Sequence, residues 1–167
     1  MKTRGFSLLE LIVVLFILGL SIGLIAPSFS RVSKSAELKA TARKLSSLLR
    51  NSRSEAVLRG EIQRILFDLP SKTVKVQSFK PEALEEEGTK EGPSQVRTFM
   101  IPAWIQIREV KTSAGQFPPE EPAIEFYPNG SSSGGSFLLE GDDQRPFRIE
   151  VHSITGAVKI ERMAERI

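Results

Sequence analysis

At 167 residues, the chain has room for one anchored helix and one globular domain with a single core, and its lack of cysteine excludes a disulfide framework or a thiolate metal site. Its formal net charge of +3 is unevenly spread: residues 31–59 carry eight bases against Glu37 and Glu55, whereas acids outnumber bases beyond Gly60. That balance argues against a broad nucleic-acid surface on the second half, and no nucleic-acid partner is expected.

The chain opens on Lys2 and Arg4, then Gly5-Phe6, then a long apolar run whose one acid is Glu10; residues 11–30 hold no charge. At ~1.5 Å per helical residue, that length suffices for the roughly 30 Å of a bilayer's hydrocarbon core. A secretory signal would place its cleavage site after the apolar core and tolerate no acid inside it. Here the small residue at the charge-to-apolar boundary is Gly5, ahead of the core, and Glu10 lies within. An ionised carboxylate there costs roughly 2–3 kcal/mol or more, so it calls for a partner. If the chain is cut after Gly5, the new amino group of Phe6 lies one helical turn from Glu10, a spacing suited to a neighbour's carboxylate.

Lys2 and Arg4 followed by Gly5-Phe6-Ser7-Leu8-Leu9-Glu10-Leu11-Ile12-Val13-Val14 resemble the class III leader and N-terminal helix of type IV pilins and type II secretion pseudopilins. Ser7 stands where threonine is more usual in that family, with the hydroxyl kept. The resemblance implies that a prepilin peptidase cuts between Gly5 and Phe6, that Phe6 is then N-methylated, and that Glu10 serves subunit recognition and assembly. It also implies a cytoplasmic leader (residues 1–5), a transmembrane helix (6–30) in the bacterial inner membrane, and a periplasmic domain. A count of Lys and Arg flanking the span favours the opposite orientation, because the C-terminal flank holds more of them.

Gly19, Ser21, Gly23 and Pro27 interrupt the apolar run and could loosen the helix there. From residue 31 to 60 the pattern turns amphipathic, with Leu38, Ala42, Leu45, Leu49 and Ala56 at three- and four-residue steps and bases between them. This predicts one helix leaving the membrane, its apolar stripe packed on the following domain, stopped at Arg59-Gly60. The basic face suits lipid headgroups, acidic neighbours or nucleic acid, and charge runs of this kind are mostly solvated faces.

Residues 61–167 read as a β-rich domain. Alternation predicts strands over 62–68 and 73–79, joined around Pro70-Ser71-Lys72, then over 96–101, 104–110, 123–127, 137–140, 147–152 and 157–161. Residues 80–95 read as an acidic exposed loop, 116–122 as a proline-rich connection, and 131–135 as a flexible Ser/Gly segment after the Pro128-Asn129-Gly130 turn. The fold class that follows is α+β: a long N-terminal helix packed on an antiparallel sheet or two-sheet β-sandwich. Phe126-x-Pro128-x-Gly130, Gly134-Gly135, the strand with Ile149 and Val151, and Thr155-Gly156-x-Val158 are similar to the C-terminal domain of the H-type minor pseudopilins and related minor pilins, the GspH/FimT family.

No catalytic constellation is present. His152, the sole histidine, alternates on a strand with no nucleophile motif near it. Trp104 reads as a core residue. Glu140, Asp142 and Asp143 are the oxygen ligands closest to a calcium pattern but lack its spacing, so no metal and no cofactor is expected. The resemblance implies a structural subunit rather than an enzyme. Its expected partners are prepilin peptidase, other major and minor pseudopilins, the inner-membrane secretion platform and membrane lipid. A minor type IV pilus subunit and an unprocessed membrane-anchored binding domain are the competing readings.

Overall fold

The computed structural model describes residues 7–80, 93, 95–112, 121–142 and 145–163, with the side chains of residues 22–32 not described. The leader, most of the 80–95 and 116–122 connections, and Asp143 lie outside the described residues. The chain forms two compact units, Met1–Glu37 and Leu38–Ile167.

Helix α1 (Leu8–Arg59) belongs to both units. In the first, the described side chains from Leu8 to Ser21 are exposed. Among the described residues no helix is long and apolar enough to cross a membrane. The part of the apolar run whose side chains are described, 7–21, is shorter than the ~20 residues a span requires. Gly23 and Pro27, read as points of loosening, fall among the side chains not described.

In the second unit the stripe behaves as its spacing dictates: Leu38, Ala42, Leu45, Leu49 and Ala56 are all buried. Small polar residues, Thr41, Ser46 and Ser52, are buried between them. Gly60 ends the helix at φ 67°, the left-handed conformation that glycine adopts without a Cβ penalty.

The stem packs with two four-stranded antiparallel sheets. The first contains β1 (Ile62–Asp68), β2 (Thr73–Phe79), β3 (Gln95–Met100) and β5 (Ala123–Phe126) in the order β3-β2-β1-β5. The second contains β4 (Ile105–Thr112), β6 (Gly135–Gly141), β7 (Phe147–Val151) and β8 (Val158–Arg162) in the order β4-β6-β7-β8. Period-two burial sends Ile65, Phe67, Val74 and Val76 of the first sheet, and Phe137, Leu139, Ile149 and Val151 of the second, into one core with the stem stripe. Phe67 and Phe137 meet across the sheets with ring centroids 4.8 Å apart. Each such fully buried side chain stabilises the fold by roughly 1.5–3 kcal/mol. The same alternation puts Gln63 and its cross-strand partner Ser78 on the core face, where the Gln63 amide donates to Ser78 Oγ at 2.7 Å. The α+β architecture, with its two-sheet alternative, is therefore the observed one.

Two expectations need correction. Residues 131–135 do not form a loose segment. Ser132 N–H donates to the Ser153 carbonyl at 2.7 Å, Ser132 Oγ to the His152 carbonyl at 3.1 Å, and Ser133 N–H to the Glu125 carbonyl at 2.9 Å. Ser133 Oγ in turn accepts from Glu125 N–H at 3.0 Å, so this short strap binds the β5 edge and the β7–β8 turn together. Trp104 is not inside the core but packs against it from the rim. Its indole lies on the backbone of Gly141, where an added Cβ would meet Trp104 Cζ3 at 2.3 Å.

Candidate assembly site

Glu10 occupies the first turn of α1, three residues after Ser7. Ser7 is the N-cap: its Oγ accepts the Glu10 backbone N–H at 3.2 Å, and its carbonyl accepts the Leu11 N–H at 3.2 Å as the first helical bond. A serine or threonine with an acid three positions on is the capping-box spacing, and a cap of this type stabilises a helix by about 1 kcal/mol. The cap fixes where the helix begins and places the Glu10 carboxylate at its positive end, where an anion is favoured by the aligned peptide dipoles. Glu10 is exposed, and among the described residues its carboxylate has no ion-pair partner. Gly5 and Phe6, the expected cleavage and methylation positions, lie outside the described residues. Sequence reasoning that weighs Glu10 only as a charge in an apolar run overlooks the Ser7-x-x-Glu10 signal.

The stem of the second unit is the other candidate contact surface, and its basic face is not wholly solvated. Arg50 Nη2 donates to the Val158 carbonyl at 3.0 Å and Arg53 Nε to the Gly130 carbonyl at 3.0 Å. Lys44 lies over the Phe99 ring, 4.8 Å from its centroid, and Glu55 pairs with Arg97 of β3. These side chains therefore fasten the stem to both sheets. The sequence shows which face they occupy, but not that backbone carbonyls of the Gly130 turn and of strand β8 lie within their reach.

The remaining candidates have structural partners. His152 is exposed, and its Nδ1 accepts the Thr155 N–H at 3.4 Å within the turn that Gly156 closes at φ 61°. Glu140 faces Arg108 at 3.3 Å, and among the described residues no three metal-ligating side chains gather. On the outer face of the first sheet, Arg64 binds Glu125 at 2.7 Å and covers the Phe79 ring at 4.4 Å. Tyr127 donates its hydroxyl to Glu125 at 3.2 Å, and burial together with that neighbouring carboxylate pushes the phenol pKa up. This face is a locked polar ladder rather than a reactive centre.

Comparison with known proteins adds to this geometry. Residues 41–156 match the family described as Type II transport protein GspH, and residues 1–26 match the Prokaryotic N-terminal methylation motif. Type II secretion system protein H of Xanthomonas campestris pv. campestris is 28% identical over 158 residues, covering 95% of this chain and 83% of the relative. Among solved structures, the minor pseudopilin EpsH from the type II secretion system of Vibrio cholerae superposes with a TM-score of 0.56 at 16% identity, covering 80% of this chain and 99% of that one. The type IV minor pilin FimU of Pseudomonas aeruginosa gives a TM-score of 0.53 at 16% identity, covering 77% and 90%. At these identities the structural likeness is one of fold.

Proposed function

The chain belongs to the family of type II transport protein GspH, and from that premise we propose that it is a minor pseudopilin, a structural subunit of the periplasmic pseudopilus of a type II secretion system. Prepilin peptidase cuts its precursor between Gly5 and Phe6 and the new Phe6 amino group is methylated. Residues 6–30 hold the subunit in the inner membrane with the leader cytoplasmic. Residues 31–60 carry the helix out of the bilayer, and residues 61–167 form the periplasmic domain. The subunit then joins other major and minor pseudopilins at the inner-membrane platform and helps drive folded proteins outward.

One observation carries this reading: an N-terminal methylation motif over residues 1–26 and the GspH family over residues 41–156 occur in a single chain. The capped helix start supplies the mechanism. With Ser7 as N-cap, cleavage after Gly5 leaves a positive amino terminus beside the positive end of α1. Like polarity there is unfavourable, and a carboxylate offsets it. Glu10 of an adjoining subunit, already inserted at the same depth, is the acid that meets this need in a medium where an unpaired charge is expensive. Assembly is thus coupled to processing, because the amino group that recruits the neighbour exists only after the cut.

The test is intact-mass measurement after co-expression with a prepilin peptidase, joined to secretion in a deletion strain complemented with this chain. Loss of residues 1–5, gain of one methyl group on Phe6 and restored secretion are expected. A retained leader, or a cut near Ala26-Pro27-Ser28, overturns the reading. Restoration of pilus assembly without secretion would assign the chain to a type IV pilus instead.

A further inference from the structure

The chain holds two asparagines, Asn51 within the stem helix and Asn129, and only the second precedes a glycine. An asparagine carboxamide next to a backbone nitrogen that no side chain shields can close a cyclic imide with it. Here the pair lies in the Pro128-Asn129-Gly130 turn between β5 and the Ser132–Ser133 strap, with Asn129 exposed. Asn129 Oδ1 accepts from Ser131 N–H at 3.0 Å and from Ser131 Oγ at 2.7 Å. Both donors sit on the oxygen that gathers negative charge when Cγ is attacked, a placement that favours the attack.

The attacking atom is the one the fold restrains. Gly130 is buried, and its N–H donates to the Tyr127 carbonyl at 2.9 Å. Its carbonyl accepts from Arg53 Nε of the stem at 3.0 Å. Gly156 packs on that same carbonyl, so closely that a Cβ there would stand 2.6 Å from the oxygen. Closing the ring removes the Gly130 N–H from Tyr127 and displaces Gly130 Cα, which strains against the grip on the carbonyl one bond further on. The reactive pair is therefore held apart while the stem grips the turn, and is freed when that grip is released.

We propose that Asn129-Gly130 is a self-modification site gated by the contact between the stem and this turn. The Gly130 nitrogen, its proton lost to solvent base, bonds to Asn129 Cγ. The Cγ–Nδ2 bond then breaks, and ammonia leaves with a proton taken from water. A water molecule opens the imide. Cleavage between the Gly130 nitrogen and Cγ gives aspartate, and cleavage between that nitrogen and the backbone carbonyl carbon gives isoaspartate. Isoaspartate runs the main chain through Cβ, one bond longer, and shifts the Gly130 carbonyl off Arg53. The product is a lasting covalent record that stem and turn have come apart.

The test follows the full chain in detergent, kept warm in mildly alkaline buffer, beside a peptide spanning residues 126–133 that gives the unrestrained rate. Peptide mapping should find both aspartate and isoaspartate at Asn129, formed at least about five-fold more slowly than in the peptide. Arg53→Ala should recover most of that difference. Gly156→Ala, which crowds the same carbonyl from the other side, should also speed conversion. Asn51 is the internal control, because global unfolding accelerates both asparagines whereas local release accelerates Asn129 alone. Circular dichroism verifies that each variant keeps its fold. Conversion of the folded chain at the rate of the peptide, or equal rates with and without Arg53, would overturn the gating. Aspartate without isoaspartate, or an intact Asn129 in both the unsubstituted chain and Arg53→Ala, would overturn the site itself.

Discussion

Arg53 of the stem donates Nε to the carbonyl oxygen of Gly130 at 3.0 Å, and Gly156 closes over the same point. A Cβ at Gly156 would stand 2.6 Å from that oxygen and 2.8 Å from Arg53 Cδ, and its φ of 61° already disfavours any other residue. One helix side chain thus holds the Pro128-Asn129-Gly130 turn and the Thr155-Gly156 turn at a single spot, which fixes the stem against both sheets.

Gly156→Ala should therefore destabilise the protein by about 2 kcal/mol or more, through the left-handed backbone and the collision together. Arg53→Ala should cost about 1–2 kcal/mol, the worth of a hydrogen bond from a charged donor that is partly exposed. Combined, the two should cost less than their sum, because removing Arg53 relieves part of the collision. Urea unfolding of the full chain in detergent measures all three, and strict additivity would show that the two residues do not share this contact.

Gly141→Ala tests the seat of the one tryptophan. The new methyl would meet Trp104 Cζ3 at 2.3 Å, so the indole must lift from the rim of the core. A red-shifted, more quenchable tryptophan emission is expected, with a stability loss of about 1–3 kcal/mol. An unchanged spectrum would mean that the ring does not lie on Gly141.

How far the sequence reveals this architecture depends on whether the signal is local. Strands β1 and β2 are legible to the residue, because one face is fully buried and the alternation of Ile65 and Phe67 with Arg64 and Leu66 is complete. The stem stripe and the stop at Gly60 are legible for the same reason. Residues 131–135 mislead because their composition is that of a flexible linker, while their bonding partners, His152 and Ser153, sit some twenty residues away in the chain. Arg50 and Arg53 mislead likewise: periodicity assigns them to a polar face but cannot tell that carbonyls of Val158 and Gly130 lie there. In the candidate site, Glu10 stands out as the one acid in an apolar run. The role of Ser7 needs the helix start to be known to the residue.

Acid stability should follow Asp68. Hydrogen bonds from the Ser71 hydroxyl and N–H, followed by Lys75, pull its carboxyl down to about 2 from 3.8. A folded pKa below the unfolded one contributes stability that is fully present above about pH 4 and is lost as pH falls through about 2. Asp68→Asn should flatten the stability profile in that window and leave it unchanged in shape near neutrality. A profile between pH 4 and 2 identical to that of the unsubstituted protein would place the acid sensitivity elsewhere.

Glu10 is the residue on which the proposed assembly turns. Cleavage should need the small Gly5 but not the carboxylate, so Glu10→Ala and Glu10→Leu should both be processed and inserted. Assembly should fail in both. Removing one member of a buried charge pair leaves the other uncompensated, commonly at about 3–5 kcal/mol, which lowers association by two to three orders of magnitude or more. Leucine suits lipid better than glutamate does, so failure of Glu10→Leu separates pairing from mere fit to the membrane. Ser7→Ala is the control for the helix cap. It deletes the acceptor of the Glu10 N–H, costs about 1 kcal/mol of local helix stability, and leaves the carboxylate in place, so assembly should weaken without being lost. Co-purification of neighbouring subunits and secretion in a complemented deletion strain read each variant. Wild-type association by either Glu10 variant would move recognition away from the helix start. The stem would then be the surface left to carry it.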